Sequence, residues 1–158
     1  MTQNKTADEP ELPGDASDLG MRGFLGYSLK RAYIVLHQAA TGALDESGLK
    51  VRSFTALSLI VSNPGVAPSR LADMLRIERS NLVLIIDELE TRELISRTRD
   101  PHDRRRFALS ATLRGRRLQE KAAAAVKADE ARAASRLSAE EQALLVSLLE
   151  RIEDGPAD

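Results

Sequence analysis

Arginine is concentrated in one short stretch of this 158-residue chain, "SRTRDPHDRRRFALSA", residues 96–111. Five guanidinium groups, on Arg97, Arg99, Arg104, Arg105 and Arg106, surround a turn signal at Asp100-Pro101. Such planar, permanently charged forks suit phosphate oxygens, and the enhanced negative potential of a narrow DNA minor groove attracts them. Asp103 in their midst is expected to brace an arginine through a charge-assisted bond. A charge run can equally be a solvated face, and neighbouring elements must decide between the two. A second group of donors, Arg79-Ser80-Asn81, lies upstream. Arginine matches a guanine edge and asparagine an adenine edge, while apolar Leu84, one turn beyond Ser80, suits a thymine methyl. A third set is aromatic and titratable: Tyr33 and His37 one helical turn apart, with Phe54 further on. These residues suit a pocket for a carboxylate or a phenol, and equally suit a packed core around a hydrogen-bonded histidine.

Net charge is only −1, yet it is unevenly spread. Residues 1–18 set Lys5 against Asp8, Glu9, Glu11, Asp15 and Asp18, a net −4. Residues 97–117 carry eight arginines against Asp100 and Asp103, a net +6. Residues 138–158 return to a net −5, with Arg151 against six acids. Acidic ends around a basic middle point to a polyanion met by one face only.

Several chemistries are excluded by composition. There is no cysteine, so no disulfide, thiolate metal site or thiol redox switch can form. His37 and His102 are the only histidines, too few and too far apart for a zinc site. No metalloprotease, phosphate-loop or nucleophile-elbow motif occurs, and the Gly20-x-x-Gly23-x-x-Gly26 spacing fits no phosphate loop. The chain is therefore read as a non-enzyme without a cofactor. No apolar run is long enough to cross a bilayer. The first residues lack the basic and apolar regions of a signal peptide, so a cytoplasmic location without membrane contact is expected.

The elements that must position these residues follow from apolar spacing. Residues 1–18, with Pro10, Pro13 and Gly14, read as a disordered acidic tail. Leu25, Leu29, Tyr33, Leu36, Ala40 and Leu44 set a first helix over residues 19–44. A second runs from Val51 to Ser62, stopped by Asn63-Pro64-Gly65. A short third spans Ser69 to Arg76 with Ser69 as N-cap, and a fourth spans Arg79 to Arg92 on a stripe of Leu82, Ile85, Ile86 and Leu89. "LISRTR" and "RRFALS" alternate around the Asp100-Pro101 turn as a hairpin. From Ala111 a long Ala-rich helix is expected, followed by a last one opened by a Ser138/Glu141 capping box and carrying Leu144, Leu145, Leu148, Leu149 and Ile152.

A short helix, a tight connection, a second helix and then a hairpin make the order of a winged helix-turn-helix. The second helix of such a pair enters the major groove with its N-terminal residues towards the bases, which is where Arg79, Ser80 and Asn81 fall. The arginine-tipped hairpin beside it then reaches phosphates and the adjacent minor groove. The fold class is mainly α with a small β-hairpin wing. The alternative is a helical protein-interaction scaffold built on "EKAAAAVKADEARAASRL", which leaves the arginine-tipped hairpin unexplained.

The stretch "NPGVAPSRLADMLRIERSNLVLIIDELETRELISRTRDPHDRRRFALSATLRG" resembles the MarR family of bacterial transcriptional regulators. Its wing signature, Asp-Pro-x-Asp-Arg-Arg, stands at Asp100 to Arg105, followed by Leu109, Ser110 and, early in the long helix, Gly115. The resemblance covers about residues 19–153. It implies a helical dimerisation region over 19–44 and 111–153 and a DNA-binding region over 51–110. A homodimer would read double-stranded DNA at a pseudo-palindromic operator, most often as a repressor. It carries Arg79, Ser80 and Asn81 to the recognition helix, Arg104 and Arg105 to the wing tip, and Ser69 and Arg70 to phosphate contacts from the preceding helix. Pro68 departs from the polar residue many relatives have there. The resemblance also implies release by a small-molecule effector, an aromatic acid or its CoA thioester. "GYSLKRAY" is similar to first helices of such regulators, and would give Lys30 and Arg31 to a carboxylate or to CoA phosphates. Surface-exposed helix charges are the equal alternative.

Overall fold

A computed structural model of the chain describes residues 18–99 and 107–155. Its elements are α1 (Leu25–Ala43), α2 (Val51–Ser62), α3 (Pro68–Leu75), α4 (Arg79–Thr91), β1 (Ile95–Arg99), β2 (Phe107–Ala111), α5 (Leu113–Ala133) and α6 (Ala139–Glu153). The chain divides within α1 into two compact units, one ending at Ile34 and one beginning at Val35.

The first unit opens with a 3-10 turn over Leu19–Met21 rather than with the α-helix expected from residue 19. Gly20 and Gly23 explain the delay, since each costs a helix about 1 kcal/mol relative to alanine. Asp18 accepts hydrogen bonds from the Tyr27 hydroxyl at 2.7 Å and from Arg22 Nε at 3.1 Å. The Tyr27 bond, then that of Arg22, holds the Asp18 carboxyl below its usual range, and the same carboxylate pushes the Tyr27 phenol up.

The second unit is built around apolar side chains that α2, α3, α4, the hairpin and α5 enclose. Leu44, Leu57, Ile60, Leu71, Leu82, Leu89, Leu94 and Leu109 are fully buried, each contributing about 1.5–3 kcal/mol. The stripe read from the sequence of α4 is the buried one: Leu82, Ile85, Ile86 and Leu89. Ser53 is the only buried polar residue among those described, and its hydroxyl donates to Glu88 Oε2 at 2.7 Å, joining α2 to α4. Arg92 closes the same end. Its guanidinium donates to the carbonyls of Ser47 and Gly48 at 2.8 and 2.9 Å.

Helix α3 begins one residue earlier than the serine signal implied. Pro68 sits in its first turn and Ala67 takes the N-cap position, so Ser69 is not the cap. A proline there has φ already set and lacks only an N–H that would go unpaired anyway, which outweighs the capping tendency of serine. The hairpin is antiparallel, in register Ile95↔Ala111, Arg97↔Leu109 and Arg99↔Phe107. Residues before α3 add to it, because Gly65 N–H donates to the Leu109 carbonyl and Leu109 N–H to the Val66 carbonyl.

The long helix starts at Leu113, and Ala111 belongs to the strand. Thr112 decides this as N-cap: its hydroxyl accepts from Gly115 N–H at 3.0 Å and donates to the Glu93 carbonyl at 2.8 Å. Gly115 lies so close to the end of α4 that a Cβ placed on it would fall 1.9 Å from the Leu94 carbonyl oxygen. The Ser138/Glu141 capping box opens α6 as the sequence indicated. No residue of α6 is buried.

Candidate nucleic-acid interface

The corner between α3 and α4 is made by a non-glycine residue in the left-handed region, Arg76 at φ 50°. Its N–H caps α3, and Ile77 N–H returns to the Ala72 carbonyl at 3.2 Å, so the chain reverses within Arg76-Ile77-Glu78. Glu78 is the N-cap of α4 through its backbone, its carbonyl accepting from Asn81 and Leu82 N–H. The buried stripe fixes how α4 is rotated. Arg79, Ser80 and Asn81 are left exposed in its first turn, and Val83 and Leu84 exposed in the next. Leu84 is 70% exposed, unusually open for a leucine inside a helix. Ser69 and Arg70 are exposed at the start of α3.

Among the described residues, no hydrogen bond or ion pair engages the guanidinium of Arg70, Arg79 or Arg99. Arg97 differs. Its Nη2 lies 3.0 Å from Asp87 Oδ1, its Nε donates to Glu90 Oε2 at 3.1 Å, and its Nη2 reaches the same Glu90 oxygen at 2.5 Å. Its guanidinium carbon also stands 5.9 Å from the centre of the Phe107 ring. The Glu90 bond first, and Asp87 after it, raise the Arg97 pKa still further against a desolvation that lowers it. Counting Arg97 with the phosphate-facing arginines is thus corrected: two carboxylates of α4 already hold it. Arg104, Arg105 and Arg106, with Asp100, Pro101, His102 and Asp103, lie outside the described residues.

Within the second unit, His37 and Phe54 do not line one pocket. His37 lines a groove of about 440 Å³ with Thr41, Asp45, Lys50, Val51 and Arg52. Phe54 does not line it and packs, partly buried, against the core. Lys30, Arg31 and Tyr33 belong to the first unit, where Arg31 lies 3.9 Å from Asp18 and Tyr33 is 60% exposed. Lys50 and Arg52, which bring positive charge to the groove, were not singled out from the sequence. Only their place at the start of α2, facing His37, distinguishes them. Among the described residues no cluster of acids and histidines could hold a metal ion, and no helix is long and apolar enough to cross a membrane.

A tight helix pair, an exposed polar first turn on its second helix and a two-stranded hairpin packed beside it define a winged helix-turn-helix. Residues 47–106 match the MarR family model. A transcriptional regulatory protein for the hcr operon of Thauera aromatica is 33% identical over 133 residues, covering 84% of this chain and 80% of that protein. The transcriptional repressor CouR bound to a 23-mer DNA duplex is 32% identical with a TM-score of 0.82, covering 88% of this chain and 99% of the other. CouR from Rhodococcus jostii RHA1 bound to p-coumaroyl-CoA superimposes with a TM-score of 0.75 over 85% of this chain and 95% of the other, at 32% identity. A Mycobacterium tuberculosis MarR family protein in complex with salicylic acid is 29% identical with a TM-score of 0.67, covering 89% of this chain and 99% of the other. The chain belongs to the MarR family.

Proposed function

We propose that this protein is a homodimeric, cytoplasmic transcriptional repressor that reads a pseudo-palindromic operator and is released from it by a small aromatic acid or its CoA thioester. The observation that carries the reading is the first turn of α4. Arg79, Ser80 and Asn81 are exposed there beside the hairpin, on a fold whose relative CouR is solved on a DNA duplex. Asn81 and Arg79 address base edges, Ser80 a base or phosphate, and Leu84 a thymine methyl. Ser69, Arg70, Arg104, Arg105 and Arg106 neutralise phosphates, which fixes register without reading sequence. The protein acts by binding and not by catalysis.

Residues 51–110 are assigned to DNA binding, and residues 19–44 with 111–153 to dimerisation. Support for the second assignment comes from α6, where Leu144, Leu145, Val146, Leu148 and Ile152 are all exposed. An apolar stripe of that size on a terminal helix suits a second copy of the chain. The effector reading draws on CouR with p-coumaroyl-CoA and on the M. tuberculosis relative with salicylic acid. It assigns His37 to the effector, with the groove beside it supplying Lys50 and Arg52, while Phe54 serves the core.

The test is fluorescence anisotropy of the purified protein with DNA flanking its own gene, at two salt concentrations, with an unrelated duplex as control. Preferential binding that weakens steeply with salt is expected. Arg79→Ala and Asn81→Ala should each cost about 1–3 kcal/mol and relax sequence preference. Equal affinity for both duplexes would defeat the operator reading. Titrating salicylate or p-coumaroyl-CoA into the complex should lower the anisotropy.

A further inference from the structure

We propose that Arg97 is a positioning residue for DNA recognition, fastening the hairpin to α4 so that wing and recognition helix meet DNA in one fixed relation. This rests on reading α4 and the hairpin as the pair that engages DNA.

Strand alternation places Arg97 on one face with Ile95 and Arg99. Its cross-strand neighbours on that face are Leu109 and, beside it, Phe107 and Ala111. Ile95, Leu109 and Ala111 are buried, so this is the face turned towards the helices. Arg97 extends it beyond the apolar core and meets Asp87 and Glu90, which are three residues apart and therefore neighbours on the surface of α4. The guanidinium fork thus engages two carboxylates of one helix and lies near an aromatic ring of the other strand. A forked, multiply held arginine is more geometrically restrictive than a single surface ion pair. Its location matters as much. The buried stripe sets the rotation of α4, whereas apart from Ile95, Leu109 and Ala111 no buried residue of the described hairpin fixes its angle to that helix.

The arrangement has an electrostatic signature opposite to that of a phosphate contact. Removing acids close to a DNA-binding face normally tightens DNA binding, because repulsion of the polyanion is relieved. If Asp87 and Glu90 anchor the wing, removing their charges must weaken it.

Two measurements on the full chain test this. Without DNA, hydrogen exchange at the amides of β1 and β2 should be at least about tenfold faster in Arg97→Ala, with α2 amides unchanged. Unchanged hairpin exchange overturns the proposal whatever happens with DNA. With operator DNA, the double variant Asp87→Asn/Glu90→Gln should bind about tenfold more weakly than wild type. Arg97→Lys, which keeps the charge and loses the fork, should also bind more weakly. The exchanged pair Glu90→Arg/Arg97→Glu should recover most of the affinity. Tighter binding by Asp87→Asn/Glu90→Gln overturns the proposal. So does a salt dependence that falls by about one unit in Arg97→Ala, which would make Arg97 a phosphate contact. Wild type that fails to prefer its operator speaks against the DNA-binding reading, and hydrogen exchange then decides the clamp alone.

Discussion

The segment from α2 to β2 and the helix α6 treat their apolar residues in opposite ways. Between Val51 and Ala111 most large aliphatic side chains turn inward, Val83 and Leu84 being exceptions, and Leu57, Ile60, Leu71, Leu82, Leu89 and Leu109 have almost no solvent exposure. On α6 the same residue types recur at helical spacing and none is buried. The first region satisfies its own hydrophobic demand and specifies its shape within one chain. The second carries an apolar demand that a single chain leaves open. On the proposed dimeric reading of an operator, both kinds of region are needed.

The sharpest way to break the self-contained region is at its seam with α5. Gly115→Val puts a branched side chain where even a Cβ would overlap the Leu94 carbonyl, so more than about 3 kcal/mol of stability should be lost. Urea unfolding followed by circular dichroism measures this, and a midpoint near wild type would mean that the seam yields. The outward-facing region is broken differently. Leu144→Glu/Leu148→Glu should leave the helical signal intact, convert the protein to monomers in sedimentation, and lower operator affinity about a hundredfold once two half-sites are no longer linked. Retention of a dimer would place the interface elsewhere. A finer probe is Arg92→Ala, which removes two hydrogen bonds to the carbonyls of Ser47 and Gly48. It should cost about 1–2 kcal/mol of stability with little effect on DNA affinity.

Much of the fold could be read from spacing alone, and the reasons for the exceptions are specific. The α3–α4 pair was legible because its apolar residues recur at three and four and its connection holds no run long enough for anything else. The start of α1 was misplaced by six residues because the apolar series begins only at Leu25, while Gly20 and Gly23 disfavour helix ahead of it. Ala111 looked helical by composition, yet pairing with Ile95 and capping by Thr112 assigned it to a strand. Arg97 was the instructive case at the site. In the sequence it is one of eight similar arginines, and only the strand phase combined with the Asp87/Glu90 spacing singles it out. That information was present but divided between two elements whose contact is tertiary. The groove beside His37 was half legible for the same reason, since Lys50 and Arg52 reach it only through the turn that connects α1 to α2.

The joint at Leu94, Thr112 and Gly115 has a mechanical consequence. Helix α5 has 21 residues and so runs for about 31 Å from a point where backbone meets backbone with no side chain between. Flexible side chains at such a point would act as a cushion and absorb small displacements. Here there is nothing to compress, and the Thr112 hydroxyl donating to the Glu93 carbonyl and the Thr112 N–H donating to the Leu94 carbonyl fix the angle. A tilt of 3° shifts the far end of a rod of this length by about 1.6 Å while its near end hardly translates. With its angle set at the root of the hairpin, α5 passes a displacement of its far end to that root as strain on the joint, since no side-chain packing is there to absorb it.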